Sequence, residues 1–270
     1  MIQIDPRADA DTFFTKLSQA RDSALMLDYD GTLAPFRIGR DRAFPYPGVQ
    51  EALREITALG NSRLVIVTGR PAKDVTPLLG LKHQPEIWGC HGWERLSPDG
   101  SYRKMEVNQQ ALEGLALAYG SVLALASGSL RCKLAIDRQV EQKPVGLALH
   151  WRGCAPQVVA ELQDSLAREW AWLAHDSGLK LCEFEEGMEL RVSDRTKADT
   201  VETIIEETGE EAAVAYLGDG LTDEDAFRAL KGKGLSALVR SEVRPSAADL
   251  WIRPPGGLLE FLWLWQELRS

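Results

Sequence analysis

The sequence has few cysteines and few histidines, which argues against sites that are built from these residues. Its 270 residues include four of each, and the cysteines, at positions 90, 132, 154 and 182, form no C-x-x-C pair. No histidine lies at zinc-finger spacing from any of them. We therefore expect the cysteines to be reduced and structural, and the sequence favours neither a disulfide framework nor a zinc finger.

Basic runs and long apolar runs are also missing. The net charge is −9, and no cluster of lysine and arginine has the density that a nucleic-acid or anionic-membrane surface needs. No stretch has the length of consecutive apolar residues that spans a bilayer, and the N-terminus lacks a basic segment followed by an apolar one. We expect a soluble, cytoplasmic protein, a monomer or small homo-oligomer, that binds neither nucleic acid nor membrane.

Apolar runs alternate with helical periodicity at both ends of the chain. Strand-like "SALMLDY", "RLVIVTG" and "EIWGCHG" are separated by the helix-like segments "PGVQEALREITALG" and "PAKDVTPLLG". The same rhythm returns after Thr196, with "AAVAYLGDG" as its central strand. This order is typical of a Rossmann-like α/β core with a parallel, doubly wound sheet.

The middle of the chain has a different pattern of apolar and polar residues. The pattern here predicts a compact α+β unit. It begins with a hairpin that turns at "PDG" and a helix to about residue 127, and it continues with strand-like "CKLAIDRQVEQ" and "VGLALHWR", a second helix and two short strands. We expect a discontinuous core, residues 1–96 and 185–270, with an inserted α+β cap domain, residues 97–184, that determines substrate specificity.

Polar side chains follow the predicted core strands at the edge where open parallel sheets bind ligands. Asp28 and Asp30 end the first strand, and Thr68 ends the second. Asp219 and Asp223 follow a later strand, and Lys197 opens a helix directly after the cap. By itself, "DYDGT" is also compatible with an ordinary Asp-rich turn, with Gly31 allowing the sharp exit from the strand.

The types of these residues, taken together, indicate which ligand and which reaction they serve. Clustered carboxylates repel one another unless a cation lies among them, and an all-oxygen set favours Mg²⁺. We predict Asp28, Asp30, Asp219 and Asp223 as metal ligands. With Thr68 and Lys197 around a phosphoryl group, Asp28 can attack phosphorus as the nucleophile. Asp30, which points to the same side of an extended chain, can serve as the general acid and base.

The motifs "DYDGT", "VTGR", Lys197 in "DRTKADT" and "GDGLTDED" occur in the order found in the haloacid-dehalogenase-like phosphatases, which this chain resembles. The resemblance implies the same fold and the same roles for the first Asp, the second Asp, the hydroxyl, the lysine and the last acidic pair. Gly69 and Arg70 of "VTGR" are expected to bind substrate. An acid at the second position, here Asp30, implies transfer of the phosphoryl group to water.

The cap lies between the second and third motifs, and several segments resemble the trehalose-6-phosphate phosphatase family: "GCHGWE", "VEQKPVGLALHWR", "MELRV" and "LTDEDAF". The resemblance implies a sugar-phosphate substrate, trehalose 6-phosphate, whose hydroxyls would be bound by Glu141, Lys143 and Glu189. From the residues alone, "RQVEQK" is more typical of a solvated hairpin edge. Trp93 is a further candidate for the site, whereas His91 and His150 are assigned no catalytic role.

Two positions depart from the family pattern. Gly220 stands where the fourth motif usually has a second Asp, and "EFEEGMEL" lacks the Gly-Lys that usually precedes the sugar-binding Glu. These departures are compatible with two alternative functions. One is a phosphatase for another sugar phosphate or a compatible-solute precursor such as glucosylglycerol phosphate or mannosylglycerate phosphate. The other is a non-catalytic, sugar-phosphate-binding relative.

Overall fold

A computed structural model describes residues 1–37, 39–128, 133, 136–137, 139–184 and 187–270. The chain divides into two compact units, a core unit of residues 1–104 and 195–270 and a cap unit of residues 105–194. Cys132, Glu185 and Glu186, which belong to segments discussed above, lie outside the described residues.

The core unit is built on a nine-stranded sheet. Its strands are β1 (Ile2–Gln3), β2 (Ser23–Leu27), β3 (Ser62–Val67), β4 (Glu86–Gly89), β5 (Glu94–Leu96), β6 (Tyr102–Lys104), β11 (Ala213–Gly218), β12 (Leu235–Val239) and β13 (Leu250–Ile252). They lie in the order β1-β13-β12-β11-β2-β3-β4-β5-β6. The six strands from β13 to β4 are parallel, and β1, β5 and β6 add antiparallel edges. The predicted parallel α/β core is thus confirmed.

Helices cover both faces of this sheet. They are α1 (Ala10–Gln19), α2 (Val49–Ala58), α3 (Ala72–Leu79), α6 (Lys197–Thr208), α7 (Asp223–Leu230) and α8 (Gly256–Arg269). On one face, Phe13 of α1 and Trp265 of α8 share a buried apolar cluster with alternate strand residues such as Leu25. Tyr216 points to the other face, where its ring centroid lies 5.8 Å from that of Phe227 in α7.

The cap unit is an α+β fold with an antiparallel four-stranded sheet. Its elements are α4 (Gln109–Gly128), β7 (Val140–Lys143), β8 (Gly146–His150), α5 (Pro156–Asp176), β9 (Leu179–Phe184) and β10 (Gly187–Val192). The strands lie in the order β7-β8-β10-β9. Both helices contact the sheet and each other. Leu147 and Leu190 are buried, and Glu141, Lys143 and Glu189 occupy the alternate positions that give the opposite face of the sheet.

Helix α4 is long and apolar enough to cross a membrane by length and composition alone. In the structure it contacts α5, β8 and β10 of the cap unit. Ala111, Gly114, Ala118 and Val122, spaced at three and four residues, form its buried stripe. The helix thus packs against the rest of the cap unit through this one stripe, and Leu117 and Leu123 on its other side are exposed.

The two units divide at residues 104 and 194, whereas the sequence pattern predicts divisions at 96 and 184. The predicted hairpin exists, but β5 and β6 pair with β4 and thereby extend the core sheet. β10 pairs with β8 and β9 inside the cap sheet. Backbone pairing, which composition does not reveal, determines both divisions.

The strand predicted over "CKLAIDRQVEQ" differs from the structure. Residues 133, 136–137 and 139 are helical, and β7 begins only at Val140. Residues 134, 135 and 138 lie outside the described part of the chain. Short apolar runs such as this one fit a helix or a strand equally well, since neither period repeats often enough to separate them.

Candidate active site

Three aspartates meet at the carboxyl edge of the core sheet. Asp28 follows β2, Asp219 follows the neighbouring β11, and Asp223 is the first residue of α7. One carboxylate oxygen from each lies within 4.8 Å of the other two, and all three side chains are buried. The Asp28 N–H donates to Leu217 O at 2.8 Å and so continues the β2–β11 pairing to the site. The strand ends therefore determine where these acids meet.

Lys197 is the cation of this cluster. Its Nζ lies 2.5 Å from Asp28 Oδ1 and 2.7 Å from Asp223 Oδ1, and the lysine is buried. It is the first residue of α6, whose start is set by a capping box between Thr196 and Asp199. Because the capping box fixes where the helix begins, it also fixes where the lysine side chain originates.

The electrostatics of the cluster favour an additional positive charge. Burial raises the pKa of Asp28 to about 7, against the attraction of Lys197. Burial and the charge of Asp28 raise the pKa of Asp219 well above its ordinary value. Burial disfavours the charged form of Lys197, but Asp223 and Asp28 outweigh it and raise the pKa of the lysine above its ordinary value. Arg240 Nη1 lies 3.8 Å from Asp219 Oδ2, but Arg240 and Lys197 together do not neutralise three buried carboxylates, and the all-oxygen donor set fits a hard divalent cation.

Asp30 is not part of this group. Its two carboxylate oxygens accept hydrogen bonds from Nε and Nη2 of Arg70, both at 2.6 Å. Nη1 of Arg70 donates to Arg40 O at 2.8 Å. The structure thus brings together three of the four predicted metal ligands and holds the fourth in a bidentate ion pair with a predicted substrate-binding residue.

Thr68, Gly69 and Arg70 form a short segment, here called the phosphate loop, after β3. Thr68 is buried, and its Oγ1 accepts from the Arg70 N–H at 3.1 Å. Because β3 is the direct parallel neighbour of β2, Thr68 and Asp28 follow adjacent strands at the same edge of the sheet. The second motif is thereby adjacent to the first.

Gly31 is required by both conformation and space. Its φ is +86°, a region that favours glycine, and a Cβ at this position would collide with the carboxylate of Asp219. The exit from β2 predicted at this glycine is therefore also the place where the chain passes against the acidic cluster.

Several contacts at the cluster have no obvious sequence signal. The Tyr216 hydroxyl donates to Asp223 Oδ1 at 2.6 Å, and the Gly220 N–H donates to Asp223 Oδ2 at 2.8 Å. Arg244, from a later segment, donates to Gly220 O at 2.9 Å and to Glu224 Oε1 at 2.5 Å. Tyr216 reads as an ordinary strand residue, and Arg244 lies outside every motif, so only the fold identifies them.

The cap residues predicted to bind sugar also come together. Lys143 Nζ lies 2.6 Å from Glu189 Oε1 and 3.6 Å from Glu141 Oε2. β7 is the edge strand of the cap sheet and pairs with β8 as a hairpin, as that alternative expected, but these three side chains are no more than 12% exposed and are not solvated. His150, which was assigned no role, joins them with Nε2 3.4 Å from Glu141 Oε2, and its ring centroid lies 5.2 Å from that of Phe184.

Trp93 and His91 lie on the core unit after β4. Both are buried, and the Trp93 N–H donates to Cys90 O at 3.4 Å. His91 lies against the phosphate loop, because a Cβ on Gly69 would be 2.8 Å from its Cε1 and Nε2. The histidine without an assigned role is thus in contact with a predicted site residue.

The chain is similar in sequence to a family of known proteins. The trehalose-phosphatase family model matches residues 26–250. The trehalose-phosphate phosphatase of Mycobacterium marinum is 32% identical over 250 residues, which cover 88% of this chain and 60% of that protein. That of Mycobacterium avium is 34% identical over 256 residues, which cover 89% and 61%. The chain therefore spans about 60% of the length of these relatives.

Solved structures share the fold. The C-terminal domain of C. albicans trehalose-6-phosphate phosphatase superposes with a TM-score of 0.73 at 20% identity, covering 98% of this chain and 99% of that domain. A haloacid dehalogenase-like hydrolase from Bacteroides thetaiotaomicron gives a TM-score of 0.63 at 17% identity, covering 89% and 98%. The fold is thus that of the haloacid-dehalogenase-like hydrolases, as predicted.

Proposed function

The chain belongs to the trehalose-phosphatase family, and we propose that it hydrolyses trehalose 6-phosphate to trehalose and phosphate through a phosphorylated Asp28. The observation that carries this proposal is the contact of the Asp28 carboxylate with Lys197 inside a buried cluster of acids. A buried carboxylate whose negative charge is stabilised by one lysine is suited to attack an electrophile that is bound together with a cation.

Mg²⁺ is the proposed cofactor, with Asp28, Asp219 and Asp223 as its protein ligands. Their oxygen donors are close enough to share one ion, and their mutual repulsion is the reason to bind it. When bound, the ion supplies positive charge that screens the phosphoryl oxygens from the attacking carboxylate. Because Arg70 occupies both carboxylate oxygens of Asp30, that side chain is left out of the proposed ligand set.

In the first proposed step, an Asp28 oxygen attacks phosphorus, and the bond from phosphorus to the sugar oxygen breaks. The leaving oxygen takes a proton from Asp30, so that trehalose departs as a neutral alcohol. Lys197, in contact with Asp28, directs the attacking carboxylate and balances the charge of the phosphoryl group. The product of this step is an aspartyl-phosphate on Asp28.

In the second step, Asp30 acts as a base and takes a proton from water, whose oxygen attacks phosphorus. The bond between phosphorus and the Asp28 oxygen breaks, which releases phosphate and restores both aspartates. Both of these proton transfers require Asp30 to release at least one oxygen from its bidentate contact with Arg70, in which both oxygens accept hydrogen bonds. The Arg70 guanidinium also adds positive charge close to the incoming phosphate.

Thr68 and Gly69 are proposed to hold the phosphoryl oxygens. The Thr68 hydroxyl and the backbone of the phosphate loop follow the strand beside Asp28, at the edge where open parallel sheets bind ligands. We propose soluble, cytoplasmic action for the enzyme, with the catalytic residues supplied by the core unit.

The cap unit is proposed to supply sugar specificity. Glu141, Lys143 and Glu189 form a group of two carboxylates and one ammonium, strong acceptors and donors of the kind that bind several hydroxyls by charge-assisted hydrogen bonds. His150 and Phe184 extend this face with a polar ring and an apolar ring. Such a combination suits a disaccharide, which presents both hydroxyl edges and apolar ring faces.

Steady-state phosphate release tests the proposal. We expect kcat/KM for trehalose 6-phosphate to exceed that for glucose 6-phosphate and p-nitrophenyl phosphate at least tenfold, and Asp28→Asn to abolish release from all three. Equal rates on all esters would contradict the sugar assignment alone. Full activity of Asp28→Asn would contradict the nucleophile.

A second candidate substrate class is another compatible-solute phosphate, such as glucosylglycerol phosphate or mannosylglycerate phosphate. The absence of a lysine before Glu189 in "EFEEGMEL" favours it, since one expected sugar contact is missing. The same assay extended to these two esters distinguishes the classes. A higher kcat/KM for either one than for trehalose 6-phosphate would select it.

A further inference from the structure

The turn that follows β4 has an unusual backbone. Cys90 and His91 have φ values of +50° and +59°, a left-handed region that residues with a Cβ rarely adopt. Two such residues in succession persist only where the surrounding structure holds them, and they concentrate at ligand and active sites. The turn lies at the carboxyl edge of the core sheet, beside the phosphate loop.

Two hydrogen bonds hold the turn to the phosphate loop. The Cys90 N–H donates to Arg70 O at 2.8 Å, and the His91 N–H donates to Thr68 O at 2.9 Å. The strained residues therefore bind both ends of the three-residue loop. Any shift of the turn would be transmitted to the backbone of the loop.

The imidazole of His91 covers the middle of the loop. A Cβ on Gly69 would lie 2.8 Å from both Cε1 and Nε2 of the ring, and His91 is only 7% exposed. Gly69 has no φ in the left-handed region, so space, and not conformation, requires the glycine. Within the described part of the chain, the Gly69 N–H has no acceptor, which leaves it available for a phosphate oxygen.

We propose that His91 is a positioning residue for phosphate: its ring and its strained backbone fix Gly69 so that the loop can bind a phosphoryl oxygen. This inference rests on the proposed function, because it assigns the loop the phosphoryl group of the substrate. The ligand class is a phosphate monoester or free orthophosphate. His91 acts through the loop and makes no bond to the reacting atoms.

Orthophosphate affinity separates this role from a purely structural one. Glycine adopts a left-handed φ at no steric cost, but His91→Gly also removes a buried ring and makes the unfolded chain more flexible, so its melting temperature should fall. The same variant lacks the ring that covers Gly69, and its affinity for orthophosphate should fall at least fivefold at a temperature where it is fully folded. A merely structural residue would lose stability and leave the phosphate affinity of the folded protein unchanged.

Orthophosphate binding by isothermal titration calorimetry in the presence of Mg²⁺ tests the proposal. The variants are His91→Gly, His91→Asn, His91→Ala, Gly69→Ala and the double variant Gly69→Ala/His91→Ala. His91→Asn keeps a residue type that tolerates a positive φ, and it serves if the glycine variant does not fold. His83→Asn, at an exposed histidine, is the matched control and should bind as wild type does.

We expect Gly69→Ala to weaken binding at least tenfold in the wild-type background and less than threefold in the His91→Ala background, because the clash needs the ring. The same factor in both backgrounds, or unchanged affinity in His91→Gly and His91→Asn, would overturn the positioning role. If wild type bound no orthophosphate and released none from any ester, the proposed function and this inference would both fail. Wild-type binding with unaffected His91 variants would overturn only the inference.

Discussion

Lys197 Nζ lies 2.5 Å from Asp28 Oδ1, although 169 positions separate the two residues in the chain. The lysine begins a helix and the aspartate follows a strand, so the contact depends on how that helix packs against the sheet. The same Nζ reaches Asp223 at 2.7 Å, which makes one cation common to two acids from different elements. The site is therefore also a structural junction of the core unit.

Replacement of Lys197 should reduce both activity and stability. Lys197→Met keeps most of the side-chain volume but leaves buried carboxylates without their cation, which typically costs about 3 kcal/mol or more. We expect this loss in the free energy of unfolding, measured by urea denaturation without Mg²⁺ at pH 7, and at least a thousandfold fall in kcat. Lys233→Met, at an exposed lysine, is the control. A loss below about 1 kcal/mol would contradict the account of the buried pair.

Gly220→Asp should strengthen metal binding. A Cβ at position 220 would meet Asp223 Oδ2 at 3.4 Å, an ordinary contact, so the backbone accepts a side chain there. The new carboxylate should lower the melting temperature without Mg²⁺, because it adds charge beside the cluster. It should also lower the Mg²⁺ concentration at the midpoint of thermal stabilisation severalfold.

Asp225→Asn is the matched control for that titration. Asp225 lies on the same helix but pairs with Arg228 at the surface, so its removal should leave the Mg²⁺ midpoint unchanged. A midpoint that moves with Asp225→Asn and not with Gly220→Asp would place the ion elsewhere.

Lys143→Met should impair sugar recognition and spare the chemical step. The buried contact with Glu189 is charge-assisted, and loss of such a donor to substrate costs about tenfold or more in affinity. We expect KM for trehalose 6-phosphate to rise at least tenfold, with p-nitrophenyl phosphate turnover within twofold of wild type. Lys104→Met, at an exposed lysine of β6, should change neither value. Equal losses on both esters would show a general defect and contradict the specificity role.

The free energy of unfolding should depend on pH in the acidic range through the carboxylate of Glu207. Arg95 and Arg63 lower the pKa of this carboxylate from 4.5 to about 2. Since the unfolded chain binds the proton more readily, the contribution of Glu207 is complete above about pH 4.5 and disappears as the pH falls towards 2. Urea denaturation should show Glu207→Gln less stable than wild type at pH 7, with the difference shrinking below pH 4.5.

Glu206→Gln is the control for this pH series, since Glu206 is an exposed neighbour on the same helix. It should match wild type throughout. A Glu207→Gln difference that stayed constant down to pH 2.5 would contradict the lowered pKa.

Residues that carry chemistry at strand ends could be predicted from the sequence, because period and position determine them. Asp28, Thr68 and Asp219 each follow an apolar run, and parallel strands bring such ends to one edge. Long-range partners could not be predicted. The ion pair between Asp30 and Arg70 depends on side-chain directions at two separate strand ends, which no local pattern specifies.

Helix capping likewise could not be fully predicted from the local sequence. "LTDED" suggests that Thr222 caps the following helix with Asp225, yet Asp225 pairs with Arg228 and Thr222 makes no side-chain capping bond to the described residues. The capping box is instead formed by Thr196 and Asp199, where it positions Lys197. Both segments fit the motif, and tertiary contacts decide which one uses it.

Phosphorylation of Asp28 is the central claim, and rapid acid quenching during turnover of trehalose 6-phosphate tests it most directly. Peptide mass spectrometry of the quenched protein should find one added phosphoryl group on the peptide containing Asp28, and none in Asp28→Asn. Phosphate release from trehalose 6-phosphate with no phosphorylated Asp28, or with the phosphoryl group on another residue, would contradict the account.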